Sequence, residues 1–596
     1  MKNDSTEKKD QYNFLLYVPE IKHKDFKVEN NTVILYFTHD SAIEKFARWL
    51  VKKNNVSDLT LDPQGSAVWM LIDGKRNVYE IAKEMSKKFG DSEEIAIERL
   101  ITFVTYLSKK GWIHFKEVKS QIHQEQVHKE MSGMDLNLRI DEMREDIIKT
   151  TQEIVKIRSL EGEAKPGMPF GEDVAKALQC ALNSAEALGL KAVNVDGYVG
   201  YAEIGEGEEY VAALGHLDVV PEGDGWIYPP YSAEIHDGKI YGRGTIDNKG
   251  PIIACLYGLK AIKDANLPLT RKIRVLFGTN EETGSQELHH YLEKEKPPVA
   301  AFTPDANFPI INGEKGITVF NIVKDVNVKP QGEYVVEYVK GGVAANVVPD
   351  YAEALLVTPN GKEVEAKVNA FAKKNNYELT TEVDGNNVKI KSVGISAHGS
   401  TPEVGRNAIM QLVTFLNTLP LGENCISDAI SFLSKYVGME VHGESFGVFL
   451  EDEASKKLSF NLGKIALDGE KVVVTLNLRY PVTKTLDDMM TPFNKTIENS
   501  GFRIENFGHQ CPLYFSADHP LVKALQKVYT EQTGKEAELI SIGGGTYAKE
   551  MPNTLAFGPV FPGDPDVIHK PNEYIVIEDL IQMTKIYTHA LYELAK

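Results

Sequence analysis

Tyr210-Val211-Ala212-Ala213-Leu214-Gly215-His216-Leu217-Asp218 is an apolar run that ends in a glycine, an imidazole and a carboxylate. An uninterrupted apolar run of this length suits a strand buried on both faces. His216 and Asp218 stand two apart on an extended chain, so both side chains point to one face. Similar runs follow at Lys272 to Gly278 and Val299 to Thr303, and the stretch Lys249 to Ile262 between them carries Ile252, Cys255, Leu256 and Leu259 at helical spacing. Strands alternating with helices predict an α/β sheet covered on both faces.

Four further stretches carry acids or an imidazole beside glycine or proline. They are Gly244-Thr245-Ile246-Asp247-Asn248-Lys249-Gly250, Asn280-Glu281-Glu282-Thr283-Gly284, Thr303-Pro304-Asp305 and Ile568-His569-Lys570-Pro571-Asn572-Glu573. Four of the five stretches fall at or just past strand ends, where open α/β sheets place their sites. Two imidazoles with a surplus of carboxylates suit a pair of divalent cations sharing one carboxylate. Such a pair activates water for hydrolysis. Asp247 lies in a glycine-flanked turn and its two oxygens suit the bridge. Adjacent Glu281 and Glu282 point in different directions, so one can bind metal while the other serves as a base.

Size and composition set the frame. The chain has 596 residues, too many for one core. It is 42% hydrophobic and 25% charged, as in ordinary globular proteins. A formal net charge of −19 argues against nucleic acid as the partner of the whole chain. Cys180, Cys255, Cys425 and Cys511 form no CxxC pair, which fits free thiols in a reducing compartment. The polar stretch Met1 to Asp10 lacks the apolar region of a signal peptide, and no run is long enough to span a bilayer. A cytoplasmic protein is expected, with no membrane partner.

The organisation reads as four parts. Residues 1–116 form a small module. In it Thr32 to Phe37 is strand-like, Leu61 to Ser66 opens a short helix over Ala67 to Ile72, and a second helix buries Val78, Ile81, Ala82, Met85 and Phe89. A third helix is expected after Asp91 as its N-cap, with Glu94 three residues on, ending at Gly111 before a strand at Trp112 to Phe115. Three short helices with flanking strands suggest a winged helix-turn-helix. Residues 117–135 read as a linker, 136–316 and 511–596 as one α/β domain, and 317–510 as an inserted α+β domain rich in β-type runs.

Taken together, the five stretches resemble the dinuclear metallopeptidases of the aminoacylase/carboxypeptidase family, most nearly the dipeptidase V, carnosinase-like type. The resemblance is strongest at Gly215–Pro221, Gly244–Pro251, Phe302–Gly316 and Gly543-Gly544-Gly545-Thr546-Tyr547. It implies an α/β/α catalytic domain with an inserted lid. It implies that His216 and Asp305 hold one metal, Glu282 and His569 the other, and that Asp247 bridges them ahead of a cis Asp247–Asn248 peptide. Glu281 is then the general base and acid, and Asp218 supports His216. The cofactors are two divalent ions drawn from zinc, manganese and cobalt.

In the insertion, Ser396-Ala397-His398-Gly399 matches the motif whose histidine polarises the scissile carbonyl. Ala345-Asn346-Val347-Val348-Pro349 and Asn477-Leu478-Arg479-Tyr480-Pro481 match positions that hold the substrate's C-terminal carboxylate. Guanidinium grips a carboxylate bidentately, and Gly543, Gly544 and Gly545 offer backbone N–H groups to the same end. The implied activity is hydrolysis of dipeptides or very short peptides through a metal-bridged water. The length of the insertion implies a self-sufficient active site. The alternatives are an N-acyl amino acid deacylase and a non-catalytic precursor-peptide carrier.

The N-terminal module resembles the pyrroloquinoline quinone biosynthesis protein D family at Leu61-Asp62-Pro63-Gln64-Gly65-Ser66-Ala67-Val68-Trp69, Ile72–Arg76 and Gly111-Trp112-Ile113. That implies a precursor leader peptide as partner, bound as an added strand. A DNA-binding winged helix and a plain dimerisation domain are the rival readings; the module lacks a basic stripe.

Overall fold

The structure is a computed structural model that describes residues 15, 17–38, 56–116, 136–326, 332–422, 424–467 and 470–596. The polar N-terminus and the linker expected over 117–135 lie outside the described residues. The chain divides into two compact units, Met1–Ser132 and Gly133–Lys596.

The first unit has helices Pro63–Leu71, Val78–Phe89 and Glu93–Lys109. Val18–Ile21 pairs antiparallel with Ile113–Lys116, and Phe26–Glu29, Thr32–Thr38 and Val56–Thr60 form a three-stranded sheet. Trp69, Val78, Ile81, Ala82, Val104 and Leu107 fill its core. The first helix starts earlier than Ala67, because Asp62 accepts the Gly65 N–H at 2.6 Å and Pro63 needs no N–H partner in the first turn. The third helix is capped by Ser92, not Asp91. The Ser92 hydroxyl accepts from Ile95 N, while the Asp91 carboxylate is engaged by Arg99 at 2.7 Å.

The second unit holds two sheets. The first has the strand order Leu513–Tyr514, Ile310–Glu314, Thr554–Ala556, Ala300–Thr303, Tyr210–His216, Lys272–Gly278, Val199–Ile204 and Lys191–Val195, with Leu539–Ile542 also pairing Ile310–Glu314. Thr554–Ala556, Ala300–Thr303, Tyr210–His216 and Lys272–Gly278 run parallel at its centre. Along Tyr210–His216, Val211 and Ala213 enter one apolar core and Tyr210, Ala212 and Leu214 the other. The strand is therefore apolar throughout, because helices cover both faces. Lys249–Ala265 and Ile577–Ala595 pack in the larger core, and Gln286–Lys294 in the smaller one.

The second sheet is antiparallel, ordered Glu378–Asp384, Asn387–Val393, Tyr351–Val357, Val335–Gly341, Ser459–Leu467, Lys471–Tyr480, Gly316–Asp325 and Arg503–Gln510. Its first and last strands in sequence are neighbours, with Ile317 opposite Gln510. The chain thus leaves the first sheet after Glu314 and returns at Leu513 beside the point of departure. This pairing is how an insertion divides a domain without displacing its halves.

Candidate metal centre and substrate clamp

The central strands deliver the acids to one end of the first sheet. Tyr210–His216 ends at His216, Lys272–Gly278 is followed by Glu281 and Glu282, and Ala300–Thr303 by Asp305. Asp247 precedes the helix Lys249–Ala265, and the Asp247–Asn248 peptide is cis. Gly215 admits this turn: a Cβ there would lie 2.2 Å from Asn248 Oδ1, the oxygen that accepts the His216 N–H.

Asp247 stands between the two imidazoles. His216 Nε2 is 3.0 Å from Asp247 Oδ1, and His569 Nε2 is 2.9 Å from Asp247 Oδ2. One carboxylate therefore presents a separate oxygen to each ring. Asp305 Oδ2 lies 3.7 Å from His216 Nε2 and Glu282 Oε1 3.2 Å from His569 Nε2. His569 holds this position at φ 60°, a left-handed backbone that non-glycine residues seldom adopt and that surrounding contacts must impose.

Supporting contacts fix these groups. His216 Nδ1 is 3.0 Å from the Asp218 carbonyl oxygen and donates to it, which orients Nε2 toward the cluster. The Asp218 carboxylate accepts the backbone N–H groups of Glu281 (3.2 Å) and Glu282 (3.1 Å), which sets the turn carrying both glutamates. Asp218 thus reaches His216 through its carbonyl and through its carboxylate, whose Oδ1 is 3.4 Å from Nδ1, and the glutamates through the same carboxylate.

Glu573, four residues after His569, holds the turn that carries Asp247. Its Oε1 accepts from Gly244 N, Ile246 N and Asp247 N, and its Oε2 from Arg243 Nη1 at 2.6 Å. Both charges are buried, so removing one partner costs about 3–5 kcal/mol. Asn248 Nδ2 donates to Pro304 O and to Asp305 Oδ1. Tyr547 sets its ring edge-on to His216, with centroids 6.1 Å apart.

The electrostatics identify what the cluster lacks. Burial raises the Glu281 carboxyl well above its ordinary value, and the Asp305 charge adds to it. Burial and Asp247 raise Glu282 and Asp305. Burial opposes charge on His216, but Asp305, Asp218 and Asp247 outweigh it and hold the imidazolium. His569 is raised to about 11 in the same way by Asp247 and Glu282. The two imidazoles outweigh burial at Asp247 and hold it below the ordinary carboxylate range, but Glu281, Glu282 and Asp305 resist ionising, which marks a site where further positive charge would be accommodated.

The donor set fits divalent cations. Donor atoms of His216, Glu281 and Asp305, and of His216, Asp247 and Glu282, converge within 4.8 Å of one another. Imidazole nitrogen with carboxylate oxygen is a ligand set for borderline and hard divalent ions. Glu281, expected as a base, thus has an oxygen in one convergent group.

The lid residues form a second assembly. Arg479 is 4% exposed and donates to Gly543 O and, at 3.1 Å, to Asn477 Oδ1. Burial lowers its pKa to about 10. Both of these acceptors are neutral oxygens, so the buried guanidinium meets no carboxylate in these contacts. The His398 and Asn346 loops meet: Gly399 N donates to Asn346 O at 2.7 Å, and Val347 bridges His398. Gly543 to Gly545 run on to Tyr547, so one short segment touches Arg479 at one end and the His216 ring at the other. His398 and Asn346 themselves are exposed.

An α/β sheet with a partly buried histidine–carboxylate cluster at one end, and a lid inserted beside it, suits a class: the metal-dependent hydrolases. Residues 212–593 match the model of peptidase family M20/M25/M40. The chain belongs to that family. "Putative dipeptidase YtjP" of Bacillus subtilis (strain 168) is 39% identical over 469 residues, covering 78% of this chain and 100% of the relative. A "Putative dipeptidase" of Staphylococcus epidermidis is 34% identical over 459 residues, 76% of this chain and 98% of the relative. Among solved structures, human carnosine dipeptidase 1 is similar over 78% of this chain and 98% of its own, at 18% identity and TM-score 0.48. Residues 54–113 match the model of coenzyme PQQ synthesis protein D. Among the described residues no helix is long and apolar enough to cross a membrane.

Proposed function

We propose that this peptidase is a dinuclear metallo-dipeptidase acting on dipeptides or very short peptides. His216 and Asp305 would hold one cation, Glu282 and His569 the other, with Asp247 shared between them. When bound, two such ions (zinc, manganese or cobalt) supply Lewis acidity and bring the pKa of a water toward neutrality.

The chain's own groups carry the rest. Glu281 takes the proton of the attacking water and delivers one to the leaving amine, so the peptide C–N bond breaks as the new C–O bond forms. Its oxygen converges with those of His216 and Asp305, beside the place where the water would be held. His398 donates to the carbonyl oxygen as charge develops on it. Arg479 grips the substrate's C-terminal carboxylate, with Asn346 and the N–H groups of Gly543 to Gly545 beside it. Lid closure over a short substrate excludes water.

The observation that carries the dipeptide reading is Arg479, a buried cation that donates to two neutral oxygens and adjoins the segment leading to His216. A clamp at a fixed distance from the reacting bond selects for length. The names of the relatives point the same way. The Met1–Ser132 unit we read as a leader-peptide-binding module of a cytoplasmic protein. The match over 54–113 and the strand Phe26–Glu29, exposed at every residue, support that reading.

The test is hydrolysis by protein loaded with manganese, zinc or cobalt. Dipeptides should be cleaved, tripeptides weakly, and C-terminally amidated dipeptides poorly. Cleavage confined to N-acyl amino acids would replace the reading by the deacylase one. Absence of turnover on both classes would leave a peptide carrier. Glu281→Gln should lower kcat by about 10²–10⁴-fold with metal content retained; unchanged turnover removes Glu281 as the base.

A further inference from the structure

We propose that Ser400 is a positioning residue that fixes the His398 ring with its proton on Nε2, so that the lid offers the scissile carbonyl a neutral N–H donor. The inference rests on the role given to His398 above and adds to it the group that sets its tautomer.

The argument turns on which atoms can donate. Ser400 Oγ lies 2.6 Å from His398 Nδ1, and a hydroxyl there could give or take a proton. The Ser400 backbone N–H also points at Nδ1, at 3.4 Å. An amide N–H cannot accept. Nδ1 is therefore the acceptor, the hydroxyl donates to it as well, and the single proton of the neutral ring is left on Nε2. The opposite tautomer would set an N–H against an N–H and present a lone pair to an oxygen gaining negative charge.

Ser400 is itself held. Its carbonyl accepts the Ser459 hydroxyl at 2.7 Å, and Ser459 is buried on the lid strand Ser459–Leu467. Two residues along that strand, Asn461 Nδ2 donates to Ala345 O (2.8 Å) and Val347 O (3.0 Å), on either side of Asn346. One strand thus ties down the loops of both His398 and Asn346. On its other side Ser400 packs against Gly543, where an added Cβ would come within 2.5 Å of Ser400 Cβ. Gly543 is also the residue whose carbonyl Arg479 engages. The serine therefore sits where lid, glycine segment and clamp meet.

The ring's surroundings favour the neutral form. Desolvation, and then the Arg479 charge that faces it, lower the His398 pKa from its ordinary value. A neutral imidazole is a donor only through the nitrogen that keeps the proton, so its tautomer decides whether it can work at all.

Two measurements on the full-length, metal-loaded protein test this. Nitrogen-15 NMR of histidine-labelled protein, with the His398 signals assigned by their loss in His398→Gln, should show an unprotonated Nδ1 and a protonated Nε2 at neutral pH. In Ser400→Ala, which loses the 2.6 Å hydroxyl contact and keeps only the longer amide one, the Nδ1 signal should move part of the way toward the average of two tautomers. Dipeptide kcat should fall about tenfold in Ser400→Ala, a part of the 10²–10³-fold expected for removing a charge-stabilising donor outright, with KM within twofold. A proton on Nδ1 in the wild-type protein overturns the proposal. So does a Ser400→Ala kcat within twofold of wild type, or a loss that falls on KM alone. The NMR arm needs no turnover, so it separates failure of this inference from failure of the dipeptidase reading. It also stands on wild-type protein if Ser400→Ala does not fold.

Discussion

The two ends of the site carry opposite deficits. At the strand ends of the first sheet, Asp247, Glu281, Glu282 and Asp305 crowd together in burial, and three of these four carboxyls are raised by burial and by one another. That end is short of positive charge. In the lid, Arg479 is as deeply buried, donates to a carbonyl and an amide oxygen, and is lowered by burial. That end is short of negative charge. Each is a poor arrangement alone, because an unbalanced buried charge is costly. Together they suit the ligand set of the proposed function: cations in the first place and a carboxylate in the second.

The largest way to break the comparison is at the shared carboxylate. Asp247→Asn keeps the shape and removes the charge that faces both imidazoles. Bound metal should fall below two per chain by elemental analysis, and hydrolysis should drop on the order of 10³-fold, as for loss of a group acting directly on the reacting centre. Full metal content with near wild-type turnover would show that Asp247 is not the shared ligand.

The next test is at the other end. Arg479→Lys keeps a charge but loses the planar fork. For a free dipeptide kcat/KM should fall about 100-fold, roughly 2.7 kcal/mol, and the loss should fall on KM. For the C-terminally amidated dipeptide the variant and the parent should differ by no more than about threefold, because the carboxylate is already absent. Equal losses on both substrates would mean that Arg479 supports the lid rather than the ligand.

A pH titration sharpens the same point. Burial holds the Arg479 pKa at about 10, below the ordinary 12.5. The folded state therefore loses this proton before the unfolded state does. The burial penalty on stability is present below about pH 10 and fades as pH rises from there to 12.5. Binding has the reverse sense: the clamp is charged below pH 10 and is lost above it. The kcat/KM for a free dipeptide, which reports the free enzyme, should fall about tenfold per pH unit above pH 10, while the value for the amidated dipeptide stays level through the same range.

The cradle and the clamp also differ in how far the sequence discloses them. Three of the candidate ligands of the cradle, His216, Glu282 and Asp305, end or follow strands whose apolar runs mark them, as at Tyr210–Leu214 before His216, and all five candidates lie within a glycine- or proline-bearing stretch. The deeper support is not disclosed that way. Arg243 and Glu573 are 330 positions apart, and only the fold makes them one buried pair. Asp218 was expected to act on His216, yet its carboxylate also binds the Glu281 and Glu282 main chain, which no spacing rule reports. In the clamp, Arg479 alternates along an ordinary antiparallel strand, and its isolation from carboxylates is a property of packing. The Ser92 cap illustrates the local limit: Asp91 and Ser92 are both good caps, and the distant partner Arg99 decides between them.

The smallest expected effect draws the boundary of the comparison. Every residue of cradle and clamp, from His216 to His569, lies in the unit Gly133–Lys596, which has its own sheets and cores. Deleting Met1–Ser132 should leave dipeptide kcat/KM within about twofold of the full chain. A cut only slightly later behaves differently. Leu136 and Ile140 are fully buried in the larger core, Asn137 Nδ2 donates to Gln532 Oε1 at 3.1 Å, and Asp141 pairs with Lys585 at 2.7 Å. Deletion through Asp141 removes two core side chains worth about 2–5 kcal/mol each and should lower the melting temperature sharply where the shorter deletion leaves it nearly unchanged. A tenfold loss of activity from the shorter deletion, with the melting temperature preserved, would place part of the substrate site in the N-terminal unit and end the view that two opposed deficits within one unit suffice.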